Sequence, residues 1–476
     1  MSFVSSIGTY LPRLRLSRAA IATATGWLSG ATGGKGSRTL AFWDEDSLTM
    51  AVAAARDCLS HAGCDRAAVE ALTFATATPV FATPQSGALI HAALRLDPTC
   101  IVQDHGGTQR ATLAALHAAL EAGRPALIAG ADLSVEPAGS AAEQRCGDGG
   151  AAVLVGLGAP LLRYCGGISV SSPFVDRYRA AGDYAAVNWE ERWIREAGLL
   201  DQMPQAIHSA LARANLSPHD IHHFVMPSPV HGGAKAVAEK ARLTSAHLAS
   251  DLTAECGDIG NAHALAMLAN TLAQAKAGER ILVAQFGQGV TALIFETTDA
   301  VATFRPSLPG QVARGIEENA YLKLPIFRGQ LDWDRGLRAR TPINEALSVA
   351  YRRADALLGF IGGRCRETGA VQFPPSRLSV ADGVHLDSQE PWPLADRLGT
   401  IVTTTADRLA FSRSPPNCYG LVDFDGGGRL MMDFTDPDAD QLHHQARVAF
   451  TFRLKDLDET NGWRRYFWKA VSVPSA

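Results

Sequence analysis

The chain lacks a strong excess of either charge. Its 476 residues carry 44 Lys and Arg against 48 Asp and Glu, a formal net charge of −4, and the basic residues are scattered without a block of five or six. That excludes the electrostatic footprint expected for nucleic acid or an anionic membrane. A run of eighteen apolar residues is missing too, so no membrane span is expected. The opening stretch MSFVSSIGTYLPRLRL has no long apolar core of the kind a secretory signal needs, and a cytoplasmic setting is expected. Eight cysteines, at 58, 64, 100, 146, 165, 256, 365 and 418, form no Cys-x-x-Cys pair, which fits free thiols in a reducing compartment. What the chain does have is apolar content: 47% hydrophobic against 19% charged residues. That is enough for a large core, over about three globular units at roughly 150 residues each.

Up to about residue 335, apolar strands alternate with alanine-rich helices. The patterning predicts a helix over 48–64, a buried strand over 69–79, a helix over 112–122, a strand over 125–134 and a glycine turn feeding a strand over 147–156. The order then repeats: helix 202–218, strand 221–229, helix 260–278, and strand, glycine turn and strand over 280–296. Helix and strand alternating in duplicate predict parallel-rich sheets covered on both faces. Composition shifts after FRGQLDWDRG (327–336), with a boundary expected near 338. A short helical segment (342–359) leads into β-type sequence at 399–412, 419–435 and 445–456, with DGGG (425–428) as a hairpin turn.

Four stretches carry a family resemblance: IGTYLPRLRL (7–16), DEDSLTMAVAAARDCLSHAG (44–63), GNAHALAMLANTLAQAKAGERILVAQFGQGV (260–290) and YLKLPIFRGQL (321–331). Residues 1–338 resemble 3-hydroxy-3-methylglutaryl-CoA synthases of the thiolase and ketosynthase superfamily. Residues 339–476 resemble thiolase-associated OB-fold proteins with a zinc ribbon, through GGRCRETGAVQFPP (362–375), LGTIVTTT (398–405) and YFWKAV (466–471). The fold class implied is α/β, with duplicated thiolase-like αβαβα layers, followed by a small all-β OB-fold domain.

The resemblance also implies chemistry, and the residues depart from it. The family's nucleophile is a cysteine at a helix N-terminus, where the helix dipole and backbone N–H groups activate it and stabilise an oxyanion. A gap-free match of DHGGTQRATLAAL (104–116) puts Gln109 there, and a one-residue slip gives Thr108 or Arg110. The nearest cysteine, Cys100, reads as a small core residue. The family's general-acid glutamate falls on Ala77, or on Thr78 with a slip, with no carboxylate near it in sequence. The family's histidine falls on Pro227; His231, four residues on, is a possible substitute, though a surface-loop position is the plainer reading. His222 and His223 precede the strand and are expected to be exposed. Asn261 matches the family's asparagine, which binds the thioester oxygen or a water; Asn also favours a helix N-cap. His263 reads as a core or interface residue. Gly287 and Gly289, with the turn at 147–150, would let backbone approach CoA closely; tight packing is an equal reading.

With nucleophile, acid and base replaced together, the resemblance implies a non-catalytic or scaffolding subunit. Its partner would be a thiolase-like subunit supplying the cysteine, with a CoA thioester as substrate and a homodimer through the first domain. A cysteine-free decarboxylase or aldolase using Gln109 and Asn261 is the alternative. The ribbon keeps Cys365 but has Thr368 where a second cysteine would stand, so zinc is not expected. Trp463, Tyr466, Phe467 and Trp468 interleave with Arg464, Arg465 and Lys469 as a nucleic-acid groove would, but core or interface packing is the expected reading at this net charge.

Overall fold

The computed structural model describes residues 2–29, 34–334, 336–337 and 346–473. The boundary expected near 338 and the start of the expected 342–359 helix lie outside the described residues. The chain divides into two compact units. The first runs to Leu324 without Phe42–Glu45 and Ala92–Arg95; those two short segments belong with Pro325 onward in the second.

In the first unit, runs of Val, Ile, Leu and Ala form ten strands of one sheet: β1 (Phe3–Tyr10), β2 (Ala71–Thr76), β3 (Ile101–Gly106), β4 (Ala126–Asp132), β5 (Gly149–Val155), β6 (Leu162–Ser171), β7 (His223–Val225), β8 (His247–Leu248), β9 (Arg280–Phe286) and β10 (Gly289–Thr297). Their order is β8-β7-β9-β10-β6-β1-β5-β4-β2-β3. Outward from the β1/β6 seam, each half runs through its first, fifth, fourth, second and third strand. The duplication expected from the sequence is therefore a duplication of topology.

Parallel-rich sheets were expected, and the sheet is mixed. The β4/β2, β2/β3, β9/β7 and β7/β8 pairs are parallel. The β1/β5, β5/β4, β9/β10, β10/β6 and β1/β6 pairs are antiparallel. Connection length explains part of this: only Gly287 and Gln288 separate β9 from β10, and two residues can close a hairpin but not a crossover.

Four helices position the site. α1 (Ser47–Ala62) starts at a capping box between Asp46 and Thr49 and stops at Gly63, which has φ 58°. α2 (Ala111–Ala122) follows β3, and α3 (Leu200–Arg213) covers the second half. α4 (His263–Leu272) has nine of its ten residues buried, as befits a helix in a middle layer. Leu113, Leu116 and Leu120 of α2 share one core with Leu265, Leu268 and Leu272 of α4 and with Val283 and Phe295. Met203, Ile207 and Leu211 of α3 share another with Leu282 and Ile294. Neighbouring strand residues thus face opposite layers, the period of two that a sheet covered on both faces requires.

In the second unit, β11 (Ile361–Cys365) pairs with β12 (Val371–Gln372) and β13 (Gln389–Pro393). Trp392 stacks with Arg364 and Arg397, whose guanidinium carbons lie 4.6 and 3.8 Å from its ring centre. A six-stranded sheet follows: β14 (Gly399–Ile401), β15 (Thr405–Asp407), β16 (Asn417–Phe424), β17 (Arg429–Asp433), β18 (Arg447–Asp458) and β19 (Trp463–Ser472), ordered β15-β16-β14-β18-β19 with β17 on β16. DGGG turns β16 into β17, with positive φ at Gly426, Gly427 and Gly428. The terminal aromatics are packed inward: Trp468 stacks on Phe360, Tyr466 on Phe452, and Trp468 Nε1 donates to the Leu358 carbonyl at 2.7 Å. Lys469 and Arg453 are buried against Asp44 and Glu45.

Candidate functional site

The C-terminal ends of β2 and β4 and the turn before α2 meet at a cavity of about 200 Å³ whose lining includes Thr78, Gln109, Asp132, Arg145, Pro227 and Gln285. Gln109 sits in the turn between β3 and α2. That turn is strapped to the β9–β10 hairpin. Thr108 Oγ1 and Arg110 Nε both donate to the Gly287 carbonyl, at 2.7 and 2.8 Å, and Arg110 Nη1 donates to Thr291 Oγ1 at 3.1 Å. Gln285 Nε2 donates to the Gln109 carbonyl at 2.9 Å.

Gly287 and Gly289 do not line the cavity. A Cβ on Gly287 would lie 2.8 Å from Thr108 Oγ1, and one on Gly289 2.0 Å from the Val170 carbonyl oxygen at φ 111°. Both are points of close approach between protein segments. In the 147–150 turn, Gly147 does reach the cavity, but a Cβ there would lie 2.0 Å from the Cys256 carbonyl oxygen.

Ala77 offers no side chain for proton transfer, yet a carboxylate stands against it. The Ala77 N–H donates to Asp132 Oδ1 at 2.8 Å. Strands β2 and β4 run parallel with Ala75 beside Gly130, so two residues further on Ala77 meets Asp132. The sequence reading missed this carboxylate because it is distant in the chain. An acidic residue at the C-terminal end of a buried strand was the available signal. Asp132 Oδ1 also accepts from Thr76 Oγ1 at 2.9 Å and Thr78 Oγ1 at 3.3 Å. Its Oδ2 accepts from Asn261 N at 2.8 Å and Asn261 Nδ2 at 3.0 Å. Five donors occupy the lone pairs of one carboxylate, so it is a hub holding three segments together.

Asn261 is fully buried, and its Oδ1 accepts the Thr112 N–H in the first turn of α2 at 3.3 Å. It does not cap its own helix, as an N-cap reading expected: Asn261 lies in a 3-10 turn before α4, whose N-cap is Ala262, and its side-chain oxygen serves the first turn of α2 instead. His263 donates from Nε2 to the Asp251 carbonyl at 2.7 Å and accepts the Ile259 N–H at Nδ1; it is a core residue. His231 is exposed and does not line the cavity. His222 is exposed as expected, but His223 is half-buried, with Nε2 2.8 Å from Glu279 Oε2. The β7 strand begins at His223, which draws it into the sheet.

Pro227 lines the cavity, and so does Cys146, whose thiol is buried and pushed up by that burial. Burial also pushes up Cys100 and Asp176. Burial would lower Arg177, but Cys146, Glu136, Asp132 and Asp258 around it raise it on balance. Sequence reading missed Arg145, Asp176, Arg177 and Asp258, which converge on the cavity only through the fold. In the second unit, Cys365 is buried with Sγ 3.7 Å from Ser388 Oγ. No group of three or more His, Cys, Asp or Glu able to hold a metal occurs among the described residues.

Residues 211–296 match the family described as 3-oxoacyl-[acyl-carrier-protein] synthase III C terminal, and residues 392–453 match ChsH2, C-terminal OB-fold domain. The chain joins a hydroxymethylglutaryl-CoA synthase-like domain of the thiolase/ketosynthase superfamily to a ChsH2-type OB-fold domain. Similar proteins include the hydroxymethylglutaryl-CoA synthase of Aeropyrum pernix, 27% identical over 63% of this chain and 86% of that one. That of Methanosarcina barkeri is 25% identical over 67% and 95%. Among solved structures, an HMG-CoA synthase complexed with CoA superposes with a TM-score of 0.59 at 17% identity, covering 72% of this chain and 94% of that one. The 3-oxoacyl-(acyl carrier protein) synthase III of Pseudomonas aeruginosa gives 0.53 at 24% identity, covering 62% and 98%. These superpositions establish the fold of the synthase-like domain, which is that of the thiolase-like acyl-CoA condensing enzymes. No helix among the described residues is long and apolar enough to cross a membrane.

Proposed function

We propose that the chain is a non-catalytic or scaffolding subunit of an acyl-CoA C-acyltransferase or thiolase complex. A thiolase-like partner supplies the cysteine, and the synthase-like cavity holds a CoA thioester. The observation that carries this reading is Gln109 in the turn before α2, lining a cavity whose one lining thiol, Cys146, is raised by burial. The resemblance aligns Pro227 and Ala77 with the family's base and acid, neither side chain can transfer a proton, and the nearby Asp132 is saturated with donors. The edge strand β3 supports a homodimer: it ends the sheet and most of its residues are exposed.

The alternative, a cysteine-free decarboxylase or aldolase, needs free donors for an enolate oxygen. Both Asn261 amide atoms are engaged with Asp132 and Thr112, and neither His231 nor His263 lines the cavity. The test is acyl transfer from acyl-CoA by the isolated chain and by the complex recovered from its native host. The proposal expects turnover from the complex alone, unchanged by Gln109→Ala. Turnover by the isolated chain that Gln109→Ala or Asn261→Ala abolishes would establish the alternative.

A further inference from the structure

We infer that the synthase-like domain carries a second reactive site, outside its cavity, where α2 meets β6. Ser169 is its nucleophile and His117 the base; Glu121 positions the histidine, and Arg213 meets the oxyanion. The substrates are small activated esters and thioesters, and the reaction is their hydrolysis. None of these four residues lines the cavity, so the inference does not rest on the role proposed there.

Helix and strand periods bring the groups together. His117 and Glu121 are four residues apart on α2 and share a face, with His117 Nε2 3.5 Å from Glu121 Oε1. Tyr164 donates to the same Glu121 oxygen at 2.9 Å and holds it. β6 and β10 pair antiparallel with Ser169 opposite Thr291, a register at which side chains meet on one face. Ser169 Oγ lies 3.0 Å from Thr291 Oγ1 and 2.9 Å from His117 Nδ1. Arg110 Nη1 donates to Thr291 Oγ1 at the far end.

The two ends of this chain of groups fix where its protons point. Burial holds His117 below the usual histidine range, against the pull of Glu121, so the ring is neutral at neutral pH. Beside a carboxylate the neutral ring keeps its proton on Nε2, because a lone pair there would face negative charge. Nδ1 is therefore the acceptor, and Ser169 donates to it. Ser169 has no second proton, so Thr291 donates to it while accepting from Arg110, which can only donate. The serine proton thus rests on a base, the arrangement that activates a hydroxyl as a nucleophile. Ser169, Val170 and Ser171 are exposed, so an acyl carbon reaches the serine oxygen from solvent. Arg213, exposed at the end of α3, is near enough for its charge to act on both His117 and Tyr164. A guanidinium there stabilises the negative oxygen of a tetrahedral intermediate.

In the reaction, Ser169 Oγ bonds to the acyl carbon as His117 Nδ1 takes its proton, and the alcohol or thiol leaves with that proton. Water then adds to the acyl-serine with His117 again as base, and the carboxylic acid departs as the serine recovers its proton.

The experiment treats the full chain with a fluorophosphonate, which bonds to an activated serine and releases fluoride, and locates the label by peptide mass spectrometry. Label on Ser169 is expected, lost in Ser169→Ala and slowed about 100-fold or more in His117→Gln. Labelling of the wild type should fall in acid as His117 takes up a proton. Glu121 raises His117 and Arg213 lowers it, so Glu121→Gln should move that fall to lower pH and Arg213→Leu to higher pH. A purely structural role would move neither. Nitrophenyl acetate then tests turnover: release of nitrophenol is expected to continue beyond a stoichiometric amount and to be lost in Ser169→Ala. Absence of label from Ser169, labelling independent of pH, or release that stops at stoichiometry or survives Ser169→Ala overturns the inference.

Discussion

Replacing Asp132 with asparagine tests whether this carboxylate is a structural hub or a reacting group. The two side chains have nearly the same shape, but an amide has one oxygen where the carboxylate has two. If the oxygen stays toward Asn261, it keeps the bonds from Asn261 N and Nδ2, now without charge. The amide NH₂ then faces Ala77 N, Thr76 Oγ1 and Thr78 Oγ1. The two hydroxyls can rotate to accept, but the Ala77 N–H is left opposed by another donor. In the other orientation, two N–H groups of the fully buried Asn261 are orphaned. Hydrogen bonds to a charged group contribute about 1.5–3 kcal/mol, and a buried unsatisfied donor costs about 1–3 kcal/mol. Asp132→Asn is therefore expected to destabilise the synthase-like domain by about 3 kcal/mol. The measurement is urea unfolding followed by circular dichroism, with the first transition analysed because two compact units need not unfold together. Gln109→Ala is the control: Gln109 lines the same cavity and is held by Gln285 through its backbone carbonyl, so less than about 0.5 kcal/mol is expected. A shift below about 1 kcal/mol for Asp132→Asn, with loss of the complex's acyl transfer, would refute the hub and make Asp132 a participant in chemistry.

Gly289→Ala is expected to destabilise by more than about 2 kcal/mol, since the new Cβ would meet the Val170 carbonyl oxygen 2.0 Å away at φ 111°; thermal melting reads this directly. In the OB-fold domain, burial raises Asp433, but Lys455 and Lys469 outweigh it and hold its carboxyl below the usual range. Its contribution to stability is then fully present above the ordinary carboxylate pKa of about 4 and is lost as pH falls through its lower folded value. Wild type should exceed Asp433→Asn in melting temperature at neutral pH, and the gap should close in acid; a gap independent of pH would contradict this. Gln109→Cys is expected to place an alkylatable thiol in the cavity without giving the isolated chain acyl-transfer turnover, because Ala77 and Pro227 still supply neither acid nor base. Light scattering is expected to give the mass of at least two chains, and a monomer would remove the role proposed for β3.

Local pattern made the elements legible. Helix and strand periods placed α1, α2, α4 and the paired β9 and β10, because burial on a layered sheet imposes its spacing on the nearby chain. The same pattern left the sheet's mixed directions open, since an apolar run has the same composition in a parallel or an antiparallel pair. The departures from the family pattern that the resemblance implies at Gln109, Ala77 and Pro227 were visible because what a residue cannot do follows from its type. What Asp132 and Asn261 do instead was not visible. Asp132 opposes Ala77 through strand register, and Asn261 caps a helix some 150 residues away in sequence. Likewise Asp44 and Glu45 read as the entry to a helix, yet they neutralise Lys469 and Arg453 at the far end of the chain.

By itself, then, the sequence determined the two kinds of module, the duplication and the absence of a cysteine from the turn before α2. Each of these is a property of residues close together in the chain. Only the tertiary structure decided which polar groups meet in the cavity and which of them are left open, as Arg145 Nε and Gln285 Oε1 are. Hydrogen bonding is a short-range interaction set by distance and angle, and those are fixed by segments that only folding brings together.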